Sequence, residues 1–263
     1  MTYPFSGEYL ENLPEPLMEI YRQLEDDIFK YICGQFRATG DANEKAIELI
    51  RQIQRGGLPM KEIEARIRKA LNLSEAEFDR IFDGAVERNK AFYDDTLTRE
   101  GLTAENARKA ALLAEEAAIR AQTLGELQNI TQSLGFAVPG LGGKVIPGTI
   151  QETYVRILDV AAVKVQSGAT GYQGAIREAI DSLARSGLQW IDYPTGWHNR
   201  VEVAVRRAVM SGVGQLCDKY SEALKEDIGT EYVEVSAHRG ARDKGVGPMN
   251  HRAWQGRVYK WNK

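Results

Sequence analysis

From Leu17 to Leu224 apolar residues return every three or four positions, and this period constrains the chain more than any other feature. Leu17, Ile20, Leu24, Ile28 and Ile32 keep step over segment 14–36. Ile47, Ile50 and Ile53 follow an acidic start at Asp41–Glu44 and end at Gly56-Gly57. That spacing puts the apolar side chains on one face of a helix and buries them together. Pro59 opens a further helix with Met60, Ile63, Ile67, Ala70 and Leu71 on its inner face. Ser74-Glu75-Ala76-Glu77 has the form of a capping box, so a new helix is expected there, carrying Phe78, Ile81, Phe82, Ala85 and Val86.

Thr103 is placed to cap the next helix, in which Ala107, Ala110, Ala111, Ala114, Ala117, Ala118 and Ala121 form a stripe. Alanine favours helix and lets a neighbouring helix approach closely. Two readings stay open: a core helix of one domain, or an arm packed on a partner helix or an identical subunit. Gly135 to Gly148 is rich in glycine and proline and reads as a hinge. It is no phosphate-binding loop, because Lys144 is followed by Val145 where a magnesium-binding hydroxyl is needed. Three more helical stripes follow, one on Ile150, Tyr154, Ile157, Leu158 and Ala161, one from Tyr172 to Ser186-Gly187, and one from about Arg200 to Leu224. Between the last two, Asp192 to His198 reads as an aromatic turn seating the third helix.

At Gly229 the period changes. Tyr232–Ser236 alternates and reads as a strand, Arg257–Trp261 as a second, with a loop around Gly240, Gly245, Gly247 and Pro248. The expected fold is mainly α, a multi-helix body with a small α+β C-terminal module containing a short β-hairpin or sheet. Its divisions are 1–134, a helical region; 135–148, the hinge; and 149–263, helices plus the β module.

Composition removes several classes. With 43% hydrophobic and 27% charged residues, disorder is not expected. Met1 to Pro16 lacks the basic start and apolar run of a secretory signal. No apolar stretch approaches the roughly 20 residues of a membrane helix. Cys33 and Cys217 match no zinc or redox spacing and read as buried core residues. Net charge is −3, yet residues 238–263 hold seven Lys or Arg against one Asp, a local +6 that leaves −9 elsewhere. The tail can therefore face nucleic acid or an acidic protein surface, or be covered by an acidic neighbour.

His198, His238 and His251 all fall late in the chain. His238 and His251 flank the loop, with Asp243 nearby. Two histidines are half a zinc site at best, since zinc takes three or four ligands. The plainer reading has His238, Arg239, Arg242, His251 and Arg252 bonding backbone carbonyls and ordering the loop. Trp254 then anchors the small module, Gln255 follows it, and Gly256 permits a turn. No nucleophile with a visible partner completes a catalytic constellation, so no enzyme and no cofactor are expected, zinc being the one alternative.

These residues resemble the phage minor capsid protein 2 family, related to Mu F-like, portal-associated head-morphogenesis proteins. The resemblance lies in Ala175-Ile176-Arg177-Glu178-Ala179-Ile180 through Gly187, Asp192-Tyr193, and Val203-Ala204-Val205-Arg206-Arg207-Ala208-Val209. It continues in Val233-Glu234-Val235-Ser236-Ala237-His238, Gly240-Ala241-Arg242, His251, and Trp254-Gln255-Gly256-Arg257-Val258-Tyr259. About residues 150–260 are covered; the N-terminal helices agree in pattern, with a local match at Asn129-Ile130-Thr131. Two departures stand out: the loop from Asp243 to Asn250 is longer, and the sequence reaches Lys263 without the family's later Asn-Cys-Arg-His element.

The resemblance implies a virion structural protein, made in the host cytoplasm and placed in the capsid interior or at the portal vertex. Its implied partners are portal and capsid proteins, further copies of itself, and DNA through the basic tail, with no membrane. The competing readings are a metal-dependent hydrolase or nuclease using His238, His251 and Asp243, and a helical DNA-binding protein.

Overall fold

A computed structural model describes residues 4–37, 46–140, 143–235, 243–244 and 250–260. Helices dominate: α1 Gly7–Asn12, α2 Glu15–Arg37, α3 Ala46–Gly56, α4 Met60–Arg99, α5 Asn106–Gln132, α6 Ile150–Gln166, α7 Tyr172–Ser186 and α8 Val201–Ile228. Strands β1 Leu134–Pro139, β2 Val145–Thr149, β3 Gln189–Asp192 and β4 Trp197–Arg200 form one antiparallel sheet in the order β2-β1-β3-β4. Strands β5 Tyr232–Glu234 and β6 Val258–Lys260 pair antiparallel on their own. The mainly α fold with a small β-hairpin near the C-terminus is thus present. The acidic start at Asp41–Glu44 lies outside the described residues.

Three expectations are corrected. The 135–148 stretch is no hinge: β1 and β2 pair from Gly135↔Thr149 to Pro139↔Val145. Its glycine lets strands close up, because a Cβ on Gly135 would meet the Gly148 carbonyl and Ile191. Ser74 starts no helix. It is buried in the middle of α4, its hydroxyl donates to the Leu71 carbonyl at 2.8 Å, and Met60–Arg99 is one helix of 40 residues. A side chain that back-bonds its own helix offers no cap. Thr103 lies three residues ahead of α5 and does not open it. The chain divides into two compact units, residues 15–77 with 124–208 and residues 1–14 with 78–123 and 209–263.

In the unit built from 15–77 and 124–208, α6 and α7 pack on β1, α6 also on β2, α3 on α6 and α2 on α7. Phe136, Val138 and Ile191 enter the core from the sheet, and Leu158, Tyr154, Leu183 and Ile28 from the helices. A capping box opens α6: the Thr149 hydroxyl accepts the Glu152 N–H, and the Glu152 carboxylate accepts the Thr149 N–H at 2.8 Å. These backbone and hydroxyl hydrogen bonds hold the Glu152 carboxyl below its usual range. The buried Tyr21 hydroxyl sits between Ser74 Oγ at 3.4 Å and Thr131 Oγ1 at 2.6 Å, tying α2, α4 and α5.

In the other unit, Phe78, Phe82, Leu112, Ile119, Val213 and Leu216 make the apolar core. Polar pairs lie along it. The Tyr93 hydroxyl donates to Asp227, the Tyr220 hydroxyl to Glu116, and Arg108 pairs with Asp227 at 3.2 Å. Burial first, then the neighbouring carboxylate, pushes the Tyr93 and Tyr220 hydroxyls well above their ordinary pKa. Cys217 is half-buried, and Asn89 donates to its Sγ at 3.7 Å. Burial pushes its thiol up to about 11, so it stays protonated and unreactive at neutral pH.

Candidate functional site

The C-terminal motif is built on the β5–β6 pair. Beyond Glu234 the ladder continues, with the Val235 N–H donating to the Arg257 carbonyl at 3.0 Å and the Gly256 N–H to the Val235 carbonyl at 2.8 Å. Gly256 has φ +64°, the left-handed conformation that favours glycine, and so turns the chain into β6. Ahead of it, His251–Trp254 forms one 3-10 turn whose N-terminus is capped by Asn250. Trp254 packs on Tyr259 with ring centroids 5.0 Å apart.

Asp243 organises the other side of the turn. Arg252 donates to its carboxylate at 2.7 Å and Asn250 at 3.3 Å. The Arg252 guanidinium first, then Asn250, holds this carboxyl below its ordinary value. His251 is exposed. The structure therefore joins Asp243 to Arg252, where the metal reading joins it to the histidines. His238, Arg239 and Arg242 lie outside the described residues. Among the described residues, no three His, Cys, Asp or Glu side chains are grouped so as to hold a metal ion. Asp243, Asn250, His251 and Arg252 form a charged, solvent-facing turn.

The aromatic turn is a β-hairpin. β3 and β4 pair from Gln189↔Arg200 to Asp192↔Trp197, and the Val201 N–H donates to the Leu188 carbonyl as α8 begins. Glu25 of α2 grips both ends, accepting the Leu188 N–H at 2.9 Å and pairing with Arg200 at 3.4 Å. Leu188, Gln189 and Ile191 point into the core, while Trp190 and Trp197 meet edge-on at 6.3 Å on the other face. Sequence reasoning left these residues out of the site. Two tryptophans seven apart around Pro194-Thr195-Gly196 were the available signal.

Helix α5 is an amphipathic core helix, but its alanine stripe is not the buried face. Leu112, Glu116, Ile119, Thr123, Leu127 and Ile130 are buried, whereas Ala107, Ala110, Ala111, Ala114, Ala117, Ala118 and Ala121 are exposed. At about 100° per residue the two sets lie on opposite sides of the helix. The seven alanines leave the outward stripe uncharged.

Among the described residues no helix is long and apolar enough to cross a membrane. Comparison with known proteins yields one family model, described as phage minor capsid protein 2, which matches residues 5–262. No curated protein and no solved structure matches the chain. The match over nearly the whole chain shows the family: this protein belongs to the phage minor capsid protein 2 family, whose members are structural phage proteins.

Proposed function

We propose that this chain is a minor component of the phage head, held at or near the portal vertex, where it contacts portal and capsid proteins and assists packaging or ejection of DNA. The observation that carries the reading is the match of one minor capsid model to residues 5–262, through both compact units. Geometry supports it in two places. The outward stripe of α5 carries only alanine, which suits close approach by a helix of another head subunit or a second copy. The tail presents Arg252 and Arg257 to solvent, which suits phosphate or an acidic protein face. The reading assigns no catalysis and no cofactor to the chain.

Locating the protein in a virion density map, with quantitation of virion proteins, is the test. A few copies per particle next to the portal are expected. Particles that assemble and infect normally without the chain would refute the reading. A purified protein holding stoichiometric zinc or manganese and cutting DNA would replace it with the metal-dependent nuclease alternative.

A further inference from the structure

The β3–β4 hairpin carries residues that neither the core nor the C-terminal motif uses. Trp197 is 51% exposed although it is one of only four tryptophans, and Tyr193 at the hairpin turn is 47% exposed. The Arg207 guanidinium of α8 lies 5.8 Å from the Trp190 ring centroid and 5.9 Å from that of Trp197. Both are within the range of a cation–π contact. Its contacts are these two rings: no described residue accepts a hydrogen bond from Arg207 or forms an ion pair with it. Val203, 49% exposed, sits one turn earlier on the same face of α8.

Two indole rings thus flank a planar five-donor fork whose donors have no acceptor among the described residues, with exposed Val203 one turn away. A cation–π contact engages the guanidinium without using its N–H groups, which stay available to a carboxylate. An exposed Trp197 beside an exposed Arg207 joins two of the residue types that dominate binding at protein interfaces. Charge decides between partners. Asp192 shares the outer face of the hairpin with Trp197, its register partner, and would repel a run of phosphates. A single acidic side chain aimed at Arg207 avoids it.

We propose that Trp190, Trp197 and Arg207 form a docking site for a segment of another head protein that presents an Asp or Glu next to an apolar side chain. The carboxylate takes the Arg207 fork, and the apolar group covers Trp197 and Val203. This rests on the chain being a head component, as proposed above.

The test uses the full-length chain and 15-residue peptides tiling the head proteins encoded by the same phage, with binding read by fluorescence polarisation. At least one peptide carrying an acidic–apolar pair binds, and Arg207→Glu weakens it by about 30-fold or more. Arg207→Lys retains part of the affinity, Trp197→Ala costs about tenfold, and changing the peptide's acid to Lys restores binding to Arg207→Glu. Trp197 and Arg207 are exposed, so unchanged melting is expected and is checked by circular dichroism.

No binding peptide, or a peptide indifferent to both substitutions, overturns the proposal. So does a twenty-nucleotide oligothymidylate that binds in a Trp197-dependent manner, which would assign the patch to nucleic acid. Virions separate this failure from that of the wider reading. Wild-type chain absent from particles sinks the head-component reading. Wild-type and Arg207→Glu chains present in equal amounts sink only the docking site.

Discussion

The β3–β4 hairpin and the β5–β6 pair are made of similar residues in different physical circumstances. Each is antiparallel, and each carries tryptophan, tyrosine, histidine and arginine. The first rests on a core: Leu188, Gln189 and Ile191 are buried, and β3 joins β1 inside a four-stranded sheet. In the second, no described residue from Gly229 to Lys260 is buried. A two-stranded pair without a buried face has little stability of its own. The same residue types are therefore preorganised in one place and held only by local pairing in the other. Substitutions in the two pairs must therefore part widely in their effect on folding.

Ile191→Ala should show the largest effect. Ile191 is 1% exposed, and removing its side chain leaves a cavity under the sheet that costs about 3 kcal/mol. Urea unfolding checks this. A loss under about 1 kcal/mol would mean the hairpin is not anchored as described, and the contrast with the tail would collapse.

Legibility in the sequence follows the same division. The helices were readable because burial on one side imposes a period near 3.6 over many residues, as in Tyr172–Ser186. The β5–β6 pair was readable because Tyr232–Val235 alternates and is rich in β-branched and aromatic residues. The four-stranded sheet was not. β1 and β2 carry Gly135, Pro139, Pro147 and Gly148, residues that argue against strands, and their pairing depends on a close approach visible only in three dimensions. Ser74 misled for a related reason. Its hydroxyl finds partners in Leu71 and Tyr21, the latter 53 positions away, and no local pattern reports that. At the site, Trp254 and Gly256 could be assigned local roles, while the Asn250 cap and the contact of Arg207 with two tryptophans on another element could not.

Glu25→Ala sharpens the comparison next. Its carboxylate accepts the Leu188 N–H and pairs with Arg200, so both ends of the hairpin lose a charged partner. Hydrogen bonds to charged groups contribute about 1.5–3 kcal/mol, and partial exposure places this one near 1.5 kcal/mol. Gln, which keeps an acceptor for Leu188, should recover roughly half. Equal losses for Ala and Gln would assign the effect to the ion pair alone.

Trp254→Ala tests the other side. Trp254 is half-buried against Tyr259, and its removal should lower stability by less than about 1 kcal/mol in the same unfolding assay. Amide exchange at Val233 and Val235 should still quicken, because the pair loses its ring contact. A loss matching that of Ile191→Ala would show that the tail is part of a cooperative core.

The smallest effect is expected at Asp243, and its pH dependence has a definite sign. Arg252 and Asn250 favour the ionised carboxylate and hold its pKa below the ordinary 3.8. A depressed folded pKa means that the contact is intact above the ordinary value and is lost as pH falls through the lowered one. Amide exchange over residues 250–254 should thus be steady from neutral pH to about 5 and speed up only below about 4. Asp243→Asn should show the faster exchange already at neutral pH. Because the pair is exposed, the substitution should leave the global unfolding midpoint where it is. A midpoint that moved with the Asp243 titration would tie the tail's turn to the stability of the whole unit, and its exposed histidine and arginines would then be as rigidly presented as the tryptophans of the anchored hairpin.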